Sequence, residues 1–212
     1  MQFKNREEAG KLLSKRLINY KETNAVILAI PRGGVPVASI IADKLHLPLE
    51  IELSKKIGHP INPEFAIGSV TLHGVNIDKK IKDVSEEYIN EKSKKIQKEL
   101  HEKFRLFMGD RQQIDLKGKI VILVDDGIAT GNTLIASIHA IKKRKPKKIV
   151  VAVPVSPKNT ALIIEDLIDE FICLQIPPDF HGVGQFYEDF TQVSNEHVIK
   201  LLAKKQLEKI NE

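Results

Sequence analysis

Residues 121–133, Val-Ile-Leu-Val-Asp-Asp-Gly-Ile-Ala-Thr-Gly-Asn-Thr, constrain the fold of this chain more than any other stretch. Val121, Ile122, Leu123 and Val124 make an aliphatic run too short for a helix and rich in β-branched residues. Bounded by Gly118 and Gly127, the run reads as a strand buried on both faces of a parallel sheet. Asp125 and Asp126 follow at its C-terminal end, and small or hydroxyl-bearing residues then lead into the apolar-periodic positions Leu134, Ile138 and Ile141. A tight turn that opens a helix leaves backbone N–H groups unpaired, and the helix dipole points the same way, so this turn is an anion site. Glycines let the backbone approach the anion, and the threonine hydroxyls add donors.

Two carboxylates directly before such a turn repel a bare phosphate. A ligand with vicinal ribose hydroxyls beside its phosphate removes the conflict, because carboxylates accept hydrogen bonds from those hydroxyls. Other phosphate motifs fit less well. The interval from Gly127 to Gly131 is wrong for a P-loop, Asn132 stands where its lysine belongs, and there is no G-x-G-x-x-G or EF-hand order. Pro31-Arg32-Gly33-Gly34 repeats the same strand–turn–helix logic with a cation in place of the acids. That chemistry suits a highly charged anion such as pyrophosphate, held by backbone amides and the Arg32 fork. In an open α/β sheet ligands bind where strand order reverses, so neighbouring first and signature strands would set both turns across one crevice.

The whole chain of 212 residues, 42% hydrophobic, reads as one globular domain spanning 1–212. No apolar run approaches a membrane span, and Met1 to Arg6 has no signal-peptide core. The single cysteine, Cys173, lies in an apolar strand pattern; it cannot form an internal disulfide and suits a reducing cytoplasm. A net charge of +5 suits anionic small ligands without requiring nucleic acid, and the basic run 142–148 reads as a solvated helix-to-strand turn. No histidine pair has metal-ligand spacing, so no protein-held metal is expected.

Taken in order, Asn5 and Glu8 form a capping box for a helix that turns Ala9, Leu12, Leu13 and Leu17 inward. Strands are expected at 25–30, 49–53, 67–72, 149–153 and 171–175 besides the signature strand, with Lys55 and Lys56 closing the second. Helices are expected at 35–45, from Asp83 (with Glu86) to about Phe107, through 134–143, from Pro157, and from Asn195 or Glu196. Strands alternating with helices give an α/β chain with a mainly parallel sheet.

Hydrophobic strand, paired acids and Ala-Thr-Gly-Asn-Thr together resemble the phosphoribosyl pyrophosphate (PRPP) signature of type I phosphoribosyltransferases. With Pro-Arg-Gly-Gly, the run from Ser54 to Gly68 and the Phe-Tyr-rich end, the chain is similar to a branch usually described as predicted phosphoribosyltransferases. The resemblance implies a three-layer α/β/α fold with a mainly parallel sheet and one antiparallel strand, at 67–72. It implies transfer of phosphoribosyl from PRPP to a nitrogenous acceptor with release of pyrophosphate. Ala129, Thr130, Gly131, Asn132 and Thr133 would grip the 5′-phosphate, and the catalytic pair Asp125 and Asp126 the ribose hydroxyls. Arg32, Gly33, Gly34 and Lys56 would take pyrophosphate, with Mg²⁺ arriving on PRPP.

The segment 73–111 stands where the family carries its flexible loop, but here it is long and helical, with Arg105 or Arg111 placed to reach pyrophosphate on closure. The loop 177–190 corresponds to the acceptor loop, with Phe180 as the stacking ring and Glu188 or Asp189 as the acid; hydrophobic packing accounts for the same aromatics. A homodimer is implied. Two other readings use the same ribose-phosphate grip: a PRPP or nucleotide sensor without turnover, and a ribose-phosphate hydrolase.

Overall fold

A computed structural model describes residues 2–78, 80–81 and 83–210, the last six of these in backbone only. Met1, Lys79, Lys82, Asn211 and Glu212, which the expected domain of 1–212 and loop segment of 73–111 include, lie outside the described residues. The elements run α1 (Arg6–Arg16), β1 (Ala25–Ala29), α2 (Gly34–Leu45), β2 (Leu49–Ile51), β3 (Ser54–Gly58), β4 (Ala66–Thr71), β5 (Gly74–Ile77) and α3 (Glu86–Met108). They continue with β6 (Ile120–Val124), α4 (Asn132–Lys143), β7 (Lys148–Val155), α5 (Lys158–Glu165), β8 (Glu170–Gln175) and α6 (Asn195–Ile210).

Five strands form one sheet in the order β2-β1-β6-β7-β8, and every pairing in it is parallel. Its central strands are buried on both faces, which is why their sequences are continuous aliphatic runs rather than alternating ones. Alternate residues serve opposite layers. Ala25, Ile27 and Ala29, with Ile122 and Val124, pack with residues of α1, α2, α3 and α6. Val26, Leu28, Val121 and Leu123 pack with Leu134, Ile138 and Ile141 of α4 and Ile164 of α5. The result is a helix–sheet–helix sandwich. Strand order runs outward from β1 to β2 on one side and from β6 through β7 to β8 on the other. Right-handed crossovers then put α2 on one face and α4 and α5 on the opposite one, and the reversal falls between β1 and β6.

The antiparallel strand is present, but it has left the main sheet. β4 pairs on both sides with β3 and β5 in a separate three-stranded antiparallel sheet. Two of those strands were not anticipated. Ser54 to Gly58 reads polar because Lys55 and Lys56 are exposed, and only Ile57 is fully buried. This small sheet rests on α4 through Ser54, whose hydroxyl donates to the Thr133 carbonyl at 3.2 Å.

Local capping follows the sequence with two adjustments. Asn5 caps α1 by accepting the Glu8 N–H at 3.0 Å, but the Glu8 carboxylate reaches back to the Lys4 N–H rather than to Asn5. The long helix is capped by Ser85, not Asp83; the Ser85 hydroxyl accepts the Tyr88 N–H, and Asp83 instead meets the His59 ring. Ile96, Leu100, Phe104 and Phe107 form the buried stripe of α3, as their spacing requires. No helix among the described residues is long and apolar enough to cross a membrane.

Candidate active site

The parallel register pairs Ala29 with Val124, so the turns that follow β1 and β6 leave the sheet side by side. Ile30 extends the pairing by donating to the Val124 carbonyl at 2.9 Å, and the Pro31–Arg32 peptide is cis. Contact between the turns is intimate. A Cβ on Gly33 would lie 1.9 Å from Asp126 Oδ2, and one on Gly34 would lie 2.7 Å from the Val124 carbonyl oxygen. The two glycines are therefore what lets the acid pair and the Arg32 turn share one crevice. Arg32, Gly33 and Asp126, with Arg6, Phe190, Gln192 and Val193, line an open cleft of 350 Å³.

The acids differ in setting. Burial pushes the Asp125 carboxyl well above the usual carboxylate range, and the neighbouring Asp126 pushes the same way. The Asp126 N–H, donated to Asp125 Oδ1 at 2.8 Å, and the Arg6 charge pull it back. Asp126 accepts Arg6 Nε at 2.7 Å, and the two side chains are only 14% and 11% exposed. Tyr187 donates its hydroxyl to the Asp126 carbonyl at 2.6 Å; burial, then Asp126, raises its pKa far above normal, so it stays a donor.

After Asp126 the chain turns through Ile128, whose N–H is held by the Val155 carbonyl, to Gly131 at φ +76°, a backbone conformation that suits glycine. Gly131 caps α4 without a side-chain hydrogen bond, so the first N–H groups of the helix face outward at its positive end. Ala129, Thr130, Asn132 and Thr133 are exposed beside them. Buried Thr160, at the start of α5, donates to the Ala129 carbonyl at 2.9 Å and fixes the turn from below.

Other expected site residues lie elsewhere. Lys56 donates to the Glu64 carboxylate at 3.0 Å and to its carbonyl, on the exposed small sheet. The α3 cation that feels Arg32 is Lys103, whose pKa is lowered by burial, by Arg32 and by Lys55. Arg111 donates to the Leu202 carbonyl at 3.3 Å, which commits it to α6, and Arg105 lies on the outer face of α3 with Lys98, His101 and Glu102. Half-buried Phe180 stacks on Phe186, centroids 5.7 Å apart, against the cluster of Phe3 and Tyr187 on which Phe190 also packs. Of these two rings Phe190 lines the cleft. Glu188 is exposed, and Asp189 accepts from Thr191 while lining a neighbouring groove with Asn5, Arg6 and His197.

The chain matches the family model described as the phosphoribosyl transferase domain over residues 3–191. It belongs to that family. Two Mycobacterium tuberculosis proteins, each named as a candidate phosphoribosyl transferase, are 36% identical over 206 residues, covering 94% of this chain and 46% of theirs. The chain thus spans about half the length of these relatives. The crystal structure of TT1426 from Thermus thermophilus superposes with a TM-score of 0.86 at 33% identity, covering 96% of this chain and 99% of that one. The three-layer architecture is therefore that of the phosphoribosyl transferase fold.

Arg6, Tyr187, Thr160 and Phe190 were not singled out as site residues by sequence. For Arg6 one signal existed. A cation at the first position of a helix opposes the dipole, and such a residue is worth asking what else holds it. Tyr187 and Phe190 were visible only as part of an aromatic stretch, and Thr160 carried no signal.

Proposed function

We propose that this domain transfers the phosphoribosyl group of PRPP to a nitrogen nucleophile and releases pyrophosphate. The observation that carries the reading is the crevice itself: an acid pair, an uncapped helix N-terminus and a cationic Arg32-Gly33-Gly34 turn, converging where strand order reverses. Each part suits one portion of PRPP. The amides from Ala129 to Thr133 and the Thr130 and Thr133 hydroxyls take the 5′-phosphate. The Asp126 carboxylate, with Asp125 behind it, accepts the ribose hydroxyls. Arg32 and the Gly33–Gly34 backbone take pyrophosphate, with the Lys103 and Lys55 charges nearby.

In the reaction the bond from ribose C1 to the pyrophosphate oxygen breaks and its electron pair leaves with pyrophosphate. The acceptor nitrogen then bonds to C1 and loses its proton to solvent. Positive charge on the ribose ring is stabilised by the adjacent Asp126 carboxylate, which Asp125 backs, and negative charge on the leaving group by Arg32. Mg²⁺ would arrive on PRPP beside Arg32 and the Gly33–Gly34 backbone, and when bound would supply charge neutralisation on the leaving pyrophosphate.

The test is to follow pyrophosphate release from PRPP and Mg²⁺ with a panel of purine, pyrimidine and amine acceptors. Asp125→Asn and Asp126→Asn should lower turnover more than PRPP affinity, the mark of a contact that strengthens in the transition state. Equal turnover in wild type and both variants would remove the carboxylates from the mechanism. Tight PRPP binding without pyrophosphate release for any acceptor would favour sensing over catalysis.

A further inference from the structure

Arg6 lies 120 residues from Asp126 in sequence, yet it is the most fully engaged side chain in the cleft. Its Nε donates to Asp126 Oδ2 at 2.7 Å and its Nη1 to the Thr191 carbonyl at 2.9 Å. Its guanidinium carbon lies 3.9 Å from the centroid of the Phe190 ring and 5.9 Å from that of Tyr187. Three elements therefore meet at one planar group: the start of α1, the acid pair after β6, and the segment 187–191. The bonds at Nε and Nη1 and the ring contacts fix the plane of the guanidinium, and with it the side from which Arg6 meets Asp126.

Arg6 and a ribose hydroxyl would both donate to Asp126, and an ionised carboxylate has lone pairs for more than one donor. Asp126 can therefore keep Arg6 on one side of Oδ2 while hydroxyls approach the rest of the carboxylate. We propose that Arg6 is a positioning residue for the ribose-binding acid pair: it holds the Asp126 carboxylate in one rotamer, open to the cleft. The inference rests on the phosphoribosyl-transfer reading for its ligand, but not for its effect on the acids.

The charged and titratable groups around Asp126 come from every side. They are Asp125 beside it, Arg6 on α1, Arg32 on the facing turn and Tyr187 on the covering segment, with Glu7, Asp189 and His197 lining the adjoining groove that Arg6 shares and Glu196 on α6 near Arg32. Only Arg6 among these donates to its carboxylate among the described residues. Arg6 lowers the Asp125 carboxyl against its burial, so removing that cation should let Asp125 hold its proton to higher pH. The acid limb of ribose binding would move upward with it.

Two measurements test this in Arg6→Gln and Arg6→Lys. In ligand-free protein labelled with ¹³C at the Asp carboxyls, NMR titration should show the Asp125 midpoint displaced upward in Arg6→Gln. Arg6→Lys, which keeps the charge but loses the planar fork, should fall between the two. Calorimetric titration with Mg²⁺-PRPP should show affinity at pH 7 reduced about tenfold in Arg6→Gln, the scale of one charge-assisted hydrogen bond, with the acid limb of binding displaced upward. A midpoint and a binding profile that superimpose on wild type would overturn the proposal, and a lowered melting temperature alone would mark Arg6 as structural only. If Arg6→Gln does not fold, Arg6→Lys decides by the same criteria. Wild-type protein that binds no PRPP would sink the functional reading instead, while the carboxyl titration still decides whether Arg6 acts on the pair.

Discussion

Replacing Gly33 by alanine should damage the site while leaving the fold standing, and the geometry gives the size of the effect. Gly33 sits at φ −60° and ψ −34°, ordinary helical values, so alanine meets no backbone strain there. On backbone grounds alone the change would stabilise by about 0.4–1 kcal/mol through the unfolded chain. Contact reverses the sign. The new methyl would lie 1.9 Å from Asp126 Oδ2, 2.5 Å from its Cγ and 2.9 Å from Oδ1. The carboxylate must retreat by about 1.5 Å to reach ordinary van der Waals distance. It cannot do so and keep its 2.7 Å bond to Arg6. Losing a charge-assisted hydrogen bond between largely buried partners costs about 1.5–3 kcal/mol, and residual crowding adds to it. We expect Gly33→Ala to lose about 2–3 kcal/mol in urea unfolding and nearly all PRPP affinity.

A double-mutant cycle isolates the contact. In an Asp126→Ala background the methyl has room, so Gly33→Ala should cost little or even stabilise. The same cost in both backgrounds would show that the clash is not with Asp126 and would refute the reasoning. Gly34→Ala provides the contrast. Its methyl would meet the Val124 carbonyl at 2.7 Å and Asp125 Cα at 2.9 Å, and the backbone of a buried strand end cannot swing away. That variant should therefore lose fold stability, not only ligand binding.

Three further outcomes follow from named contacts. Thr130→Val or Thr133→Val removes a hydroxyl beside the open α4 N-terminus, so PRPP affinity by calorimetry should fall by about 1–3 kcal/mol without loss of fold; unchanged affinity in both would clear the turn of phosphate. Phe180→Ala should lower stability by about 2–4 kcal/mol because its ring stacks on Phe186, with acceptor KM little changed; a raised KM in a fully stable variant would return the ring to the acceptor site. Burial lifts the carboxyl of Glu52 to about 8, with Arg144 opposing and Glu50 adding to it, so the folded protein keeps a proton that the unfolded chain gives up near 4.5. Its contribution to stability is complete below pH 4.5 and is lost as pH rises through 8, so Glu52→Gln should flatten the decline in unfolding free energy across that window; a slope equal to wild type would place the titration elsewhere.

The sheet and the phosphate turns were legible because each is a local construction. Val121 to Val124 declares a doubly buried strand by composition, and Gly127 to Thr133 declares a turn into a helix within the same dozen residues. Strands such as Ser54–Gly58 and Gly74–Ile77 were not legible, because their partners rather than their own patterns make them strands. With Lys55 and Lys56 both exposed, β3 has no alternation to read, and only its antiparallel register with β4 defines it. The start of α3 was read at Asp83, but the cap is Ser85, whose oxygen meets the Tyr88 N–H. Charges at the site divide in the same way. Arg32 and the acid pair announce themselves beside their glycines, whereas Arg6 reaches Asp126 from the far end of the chain.

That division separates the two halves of the cleft. One half is built by the strand–turn–helix units that follow β1 and β6. The covering half is not. Phe3 donates to the Phe186 carbonyl and accepts from the Glu188 N–H, each at 2.8 Å, and the Lys4 carbonyl accepts the Asp189 N–H at 2.9 Å. The N-terminal residues are thereby stitched to the segment 186–189, and the Phe3 and Tyr187 rings meet beneath the stitch with centroids 5.3 Å apart. Arg6 leaves α1 just beyond this join and passes through it to Asp126. The covering wall of the cleft is therefore assembled from the N-terminal residues and the segment 186–191. The pattern of 177–190 alone shows only one side of that seam, so Arg6, which lines the cleft from the other side, carries no signal in it.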